Sequence, residues 1–274
     1  MDEPTSSLKT LPRLKPRGGL RVMYAAIRAL FLRELQTRFG QFRLGYIWIL
    51  LEPALHIGFM LILFATVRQR LIPGMEFEVF LVNGVIPFFM FRKVATQALG
   101  AVQSNKGLFS YRPVKPIDTL IARSLLELFL SFSSYIFFSA ILLWFSYPIS
   151  MDTVPQLLGY WVILLLLSMS MGLVFLVVGS ISPEINKFIS TFFFILYLMS
   201  GVIYTIHMIP VEYQHYLLWN PIAHILELMR HAVAPTYPLA IGVSLTYVFE
   251  WILGTLFLGL LLYKRFEQQM MRSK

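Results

Sequence analysis

Residues 157–179 read LLGYWVILLLLSMSMGLVFLVVG, a run without one Asp, Glu, Lys, Arg or His. A helix needs roughly 20 such residues to cross a ~30 Å hydrocarbon core, and this run is long enough. Its apolar residues are continuous and do not alternate, which argues against a barrel strand. Within lipid, only a helix satisfies the backbone N–H and C=O groups of a single segment by itself. The stretch therefore predicts a membrane-spanning helix.

Working outward, comparable runs lie at 128–145, 188–206 and 241–263. Two interrupted runs precede them: 46–67, broken by Glu52, Pro53 and His56, and 79–91, which continues past Arg92 and Lys93. Composition agrees, since 57% hydrophobic and 14% charged residues over 274 positions carry more apolar surface than a soluble domain of this size hides. The expected fold is all-α and polytopic, with six transmembrane helices. With no cysteine in the chain, a disulfide, a thiol nucleophile and a cysteine metal site are all excluded.

Orientation follows from where Lys and Arg fall, because positive loops stay in the cytoplasm. Lys9, Arg13, Lys15, Arg17, Arg21, Arg28, Arg33, Arg38 and Arg43 precede the first span. Arg92, Lys93, Lys106, Arg112, Lys115 and Arg123 separate the second from the third, Lys187 lies between the fourth and fifth, and Lys264, Arg265, Arg272 and Lys274 follow the last. Of the 23 Lys and Arg, only Arg68, Arg70 and Arg230 fall on the opposite side, so both termini are expected in the cytoplasm. The net charge of +9 is then a topology signal; its dispersal among the spans argues against a nucleic-acid surface. Residues 1–19, polar and punctuated by Pro4, Pro12 and Pro16, read as a flexible cytoplasmic tail with no cleavable signal.

Four segments outside the simple spans carry further information. In 20–43, Ile27, Leu30, Phe31, Leu35, Phe39 and Phe42 recur at helical spacing among Arg28, Arg33, Glu34, Arg38 and Arg43, the pattern of a helix lying along lipid headgroups. The polar loop 103–116 displays Leu108, Phe109 and Tyr111 beside Lys106, Arg112 and Lys115; it reads as a docking knob, or else as aromatics dipping into headgroups. Ser182, Pro183 and Glu184 read as the cap and first turn of the fifth span. In 204–238, Asn220 and Pro221 begin a short helix with an apolar stripe of Ile222, Ile225, Leu226, Met229 and Val233. That helix either re-enters the outer leaflet or lies flat upon it, and Glu227 and Arg230 either pair or face a passageway.

No Gly-x-x-x-x-Gly-Lys-Ser/Thr loop is present, so ATP hydrolysis is expected elsewhere, with ATP and magnesium bound by a partner. His207, His215, His224 and His231 lack metal-ligand spacing and read as surface histidines. Arg123 and Glu127, four apart, read as a mutually neutralising pair. Neither catalytic nor metal-ligating residues are expected.

The stretch from Arg38 to Pro53, with Leu44-Gly45, Trp48 and Pro53 in register, resembles the entrance motif of type-2 ABC exporter permeases. Trp219-Asn220-Pro221 followed by Arg230 resembles the same group's external segment. Phe89, Gly107-Leu-Phe109 and 111–118 (YRPVKPID) narrow the resemblance to the capsular polysaccharide export permeases of Gram-negative bacteria, and the likeness runs from about Arg28 to Lys264.

This resemblance implies a dimeric channel in the inner membrane, driven by two cytoplasmic ATP-binding subunits. In it, Ser104, Asn105, Lys106, Leu108, Phe109, Tyr111, Arg112 and Lys115 are the ATPase-coupling residues of a domain spanning 44–274. Asn220, Pro221, Glu227 and Arg230 form the external gate. A glycolipid-linked polysaccharide is the implied substrate, handed on to a periplasmic adaptor and an outer-membrane exporter.

Aromatic faces offer weak, replaceable contacts to pyranose C–H faces. Tyr46, Trp48, Phe193, Tyr197 and Tyr204 are the candidates to line the pathway, and Arg43, Arg92 and Lys93 are the candidates to guide an anionic polymer at its entrance. An ion-coupled carrier, a membrane-embedded enzyme, and an exporter of O-antigen, teichoic acid or drugs are the competing classes. A carrier would show inverted repeats and mid-membrane coupling residues, and no convincing repeat is found.

Overall fold

The computed structural model describes residues 18–39, 45–64, 72–109 and 114–271, without the side chains of Phe39, Gly45, Tyr46, Pro183 and Asn186. Its regular elements are all helical, in the order α1 (Gly19–Phe39), α2 (Gly45–Leu63), α3 (Phe77–Asn105), α4 (Pro116–Trp144), α5 (Val154–Ile181), α6 (Asn186–Met199), α7 (Val211–Leu217), α8 (Pro221–Val233) and α9 (Leu245–Met271). Four helical stretches are long and apolar enough to cross a membrane: Phe77–Leu108, Pro116–Trp144, Val154–Ile181 and Leu245–Met271. Ile47–Leu63 and Lys187–Met199 are apolar but shorter.

The core is organised around α3, which packs against α2, α4, α5, α6 and α8 and is buried along most of its length. Small residues permit this crowding. At Gly179 of α5, a Cβ would lie 2.8 Å from the Leu99 Cα of α3, so only glycine lets the two backbones meet there. The outer faces stay apolar: Phe249, Leu253, Phe257 and Leu261 of α9 are exposed, as a lipid-facing surface requires.

Several boundaries differ from the sequence expectation for local reasons. Helix α4 begins at Pro116, twelve positions before the apolar run at 128, because proline fits a first turn and Asp118 accepts the Lys115 N–H at 2.9 Å. Helix α6 stops at Met199 and not at 206, where Gly201 takes a left-handed φ of 62°. Ser182 ends α5 and gives α6 no side-chain cap, since Pro183–Ile185 forms its own short turn between them.

Helix α8 is not laid flat on the outside of the bundle. Every residue of it except Leu228 and His231 is buried, against α3, α5 and α9. Its start is capped by Asn220, whose Oδ1 accepts the Ile222 N–H at 3.0 Å. Its last carbonyls are satisfied by the α4–α5 turn: Ser150 N–H donates to Val233 O at 2.8 Å, and the Thr153 hydroxyl to Ala232 O.

Candidate functional site

The end of α3 leads directly into the 103–116 loop. Gln103 and Ser104 are exposed, Asn105 is buried, and Lys106–Leu108 forms a short helical turn whose Lys106 and Leu108 are half-buried. Phe109 is only 6% exposed, packed with Ala98, Ala101, Val102, Leu120, Tyr263 and Met270. The expectation that it meets water is therefore corrected: its ring anchors the loop to the C-terminal part of α9. Lys115 reinforces that anchor through an ion pair with Glu267 at 3.3 Å. Tyr111 and Arg112 lie outside the described residues.

Helix α1 is tied to this region by charge. Arg123 of α4 donates to Glu34 Oε1 at 2.9 Å, to the Gln97 carbonyl at 3.1 Å and to Ser104 Oγ at 2.9 Å. Arg38 pairs with Glu127, which also accepts from Gln97 Nε2 at 2.5 Å, and Arg33 donates to Asn105 Oδ1. The local Arg123–Glu127 pair expected from spacing is thus replaced by two pairs reaching across to α1, because α1 packs Phe31 and Leu35 onto Leu126 and Leu130.

A second charged cluster joins α2 to α3. Glu52 accepts from Arg92 at 3.2 Å and Lys93 at 2.7 Å, and the Arg92 guanidinium lies 4.7 Å from the centroid of Phe89. One helical turn along, His56 Nε2 is 2.6 Å from the Tyr197 hydroxyl. Arg43, the third entrance candidate, lies outside the described residues, as does the Tyr46 side chain.

The remaining pathway aromatics divide by environment. Trp48 is 63% exposed, whereas Phe193 and Tyr197 are buried against α3, with Phe193 edge-on to Phe91 and Tyr197 edge-on to Phe88. Tyr204 is half-buried and donates to Leu198 O at 2.7 Å.

Within α8, Glu227 and Arg230 form a fully enclosed pair at 3.1 Å. Arg230 also donates to Gly201 O at 2.9 Å and Val202 O at 3.2 Å, and stacks 3.5 Å from the Phe80 ring centroid. Asn220 Nδ2 donates to Ser200 Oγ at 2.7 Å. Of the two options left open by spacing, pairing is the one adopted, with both side chains buried. His224 also departs from the surface reading. It is buried, its Nδ1 accepts the Ser244 N–H at 3.0 Å, and Nε2 must therefore carry the proton it shares with Leu218 O at 2.7 Å.

This is a helical architecture with apolar outer faces, one charged cluster at the end of α3 and a second between α2 and α3. The profile of the family described as ABC-2 type transporter matches residues 25–234. The chain belongs to the ABC-2 type transporter family. Among its relatives, the polysialic acid transport protein KpsM of Escherichia coli is 44% identical over 257 residues, covering 94% of this chain and 99% of KpsM. The capsule polysaccharide export inner-membrane protein BexB of Haemophilus influenzae is 27% identical over 256 residues, covering 92% and 95%. CtrC of Neisseria meningitidis, which carries the same description as BexB, is 28% identical over 226 residues, covering 81% and 84%. As an ABC-2 transporter, this chain is a transmembrane subunit and not itself the catalytic one.

Sequence reading alone missed the ties between α1 and the ends of α3 and α4, and the buried Tyr237 beneath Glu227. The first had a signal, opposite charges at Glu34 and Arg38 beside Arg123 and Glu127, but nothing in a single sequence says which helices are neighbours.

Proposed function

We propose that this chain is the membrane subunit of an ATP-driven exporter that moves lipid-linked capsular polysaccharide across the bacterial inner membrane. The observation that carries this reading is the near end-to-end likeness to KpsM, at 44% identity. Two copies form the channel, and two cytoplasmic ATP-binding subunits bind ATP and magnesium and drive it. A periplasmic adaptor and an outer-membrane exporter receive the polymer.

In this reading α2, α3, α4, α5, α6 and α9 are the six spans of a domain covering 44–274, residues 20–43 lie along the cytoplasmic leaflet, and both termini are cytoplasmic. The 204–238 segment, carrying α8, re-enters from the periplasmic side. Its burial in protein supports that placement, since irregular or short segments survive at membrane depth only where protein or a wet cavity covers them. The 103–116 loop seats on the ATP-binding subunit, and the exposed Trp48 supports a pathway running beside α2.

The deciding experiment is affinity purification from cells making the whole system, read together with surface polysaccharide in a strain lacking this chain. An ATP-binding subunit that co-purifies, and a capsule that returns only when this chain is restored, are the expected results. Accessibility labelling that finds Lys106 on the opposite side of the membrane from Lys264 would refute the topology, and with it the docking assignment.

A further inference from the structure

We propose that Arg123 is a positioning residue for transport: it ties α1 to the loop after α3, so that loop and interfacial helix shift as one unit. The inference rests on the function proposed above, in which the ATP-binding partner displaces that loop.

Helices α1 and α3 meet on one guanidinium of α4. Arg123 holds Glu34 of α1 through Nε, the Gln97 carbonyl of α3 through Nη1, and Ser104 Oγ, in the last turn of α3 where the 103–116 segment begins, through Nη2. Its side chain is 14% exposed and that of Glu34 20%, so the ion pair is largely shielded, while the bond to Ser104 lies at the surface. The planar fork of arginine spreads its donors over three nitrogens in fixed directions, whereas the three donors of an ammonium sit on one nitrogen at the end of a swinging stem. The neighbouring contacts work in parallel, with Arg33 on Asn105, and Arg38 on the buried Glu127.

The apolar packing of Phe31 and Leu35 on Leu126 and Leu130 already holds α1 against α4. Apolar contacts are non-directional and permit sliding, whereas the polar contacts fix α1 in register with the last turn of α3. The N-terminal turns of α1 expose Leu20, Met23 and Tyr24, and Leu32 is exposed farther along, apolar surface that would rest on lipid. A displacement at Ser104 and Asn105 is therefore delivered to the helix that frames the cytoplasmic mouth.

Arg123→Lys and Glu34→Gln, each in the full chain beside the ATP-binding subunit that co-purifies with the unmodified protein, test this. Both variants are expected to retain that subunit and its ATP hydrolysis while surface polysaccharide falls roughly tenfold, within the range that couplings between sites span. The reversed pair Glu34→Arg with Arg123→Glu is expected to export more than either of its single changes. Unmodified export in both Arg123→Lys and Glu34→Gln overturns the inference. Loss of the ATP-binding subunit from either variant also overturns it, since that would make Arg123 a folding or docking residue. An unmodified chain that never holds an ATP-binding subunit overturns the proposed function, and this inference falls with it.

Discussion

Tyr237 donates its phenolic hydrogen to Glu227, lying 2.9 Å and 3.0 Å from the two carboxylate oxygens. Burial raises the Tyr237 hydroxyl above the usual phenol range, so the proton stays on the ring oxygen and the bond keeps its direction. Thr205 shares the same hydroxyl at 2.8 Å, and Arg230 closes the carboxylate at 3.1 Å. The chain that follows α6 is thereby fastened to α8 and α3 through a buried network.

Removing one member of such an enclosed pair strands the other. Glu227→Gln leaves the Arg230 guanidinium without its counter-charge, at a cost of about 3–5 kcal/mol. A lower melting temperature in detergent is expected, with a smaller loss in the double variant Glu227→Gln/Arg230→Met than in Glu227→Gln alone. Equal stability of Glu227→Gln and the unmodified protein would show that the pair does not hold the segment after α6 in place.

Phe109 and Leu108 are neighbours with opposite tasks. The Phe109 ring fills a small core with Leu120, Tyr263 and Met270, so Phe109→Ala is expected to destabilise the chain itself by roughly 3–5 kcal/mol. Leu108 is half-exposed on the same turn, and Leu108→Asp is expected to leave thermal stability unchanged while releasing the ATP-binding subunit. Thermal unfolding and co-purification read the two effects separately. The reverse assignment, with Phe109→Ala stable but unbound, would move the docking surface back to the ring.

The same division sorts the pathway aromatics. Trp48 is exposed on α2 and Phe193 is enclosed by Phe91, Phe175 and Phe192. Trp48→Ala is expected to reduce surface polysaccharide without lowering the amount of folded protein, and Phe193→Ala to reduce both. If Trp48→Ala exports normally, the exposed face of α2 does not line the pathway.

Much of this arrangement was legible in the sequence, and the limits were physical. Uninterrupted apolar runs such as 157–179 announce themselves because lipid permits no other composition, and Asn220-Pro221 marks a helix start by local chemistry alone. The partners of Arg123 and Glu127 were hidden because helical spacing describes one helix, while which helix lies alongside is decided by packing far away in sequence. Phe109 misled for a related reason. An aromatic in a polar loop looks exposed until the end of α9, some 150 residues on, supplies Tyr263 and Met270 to cover it.

Glu52 occupies both of the cations proposed to guide an anionic polymer, Arg92 at 3.2 Å and Lys93 at 2.7 Å. All three side chains are partly exposed, so the bridges themselves contribute little to stability. Their consequence lies in competition: a carboxylate of the protein holds the positions that a carboxylate or phosphate of the substrate would take. Glu52→Gln is therefore expected to lower, by roughly threefold, the concentration of anionic polymer that half-maximally stimulates ATP hydrolysis by the assembled transporter. Arg92→Gln with Lys93→Gln is expected to raise that concentration and to flatten its dependence on salt, since exposed charges are screened beyond ~10 Å at 0.1 M. Identical polymer and salt dependence in all three proteins would remove these cations from the pathway and leave Glu52 a structural bridge between α2 and α3.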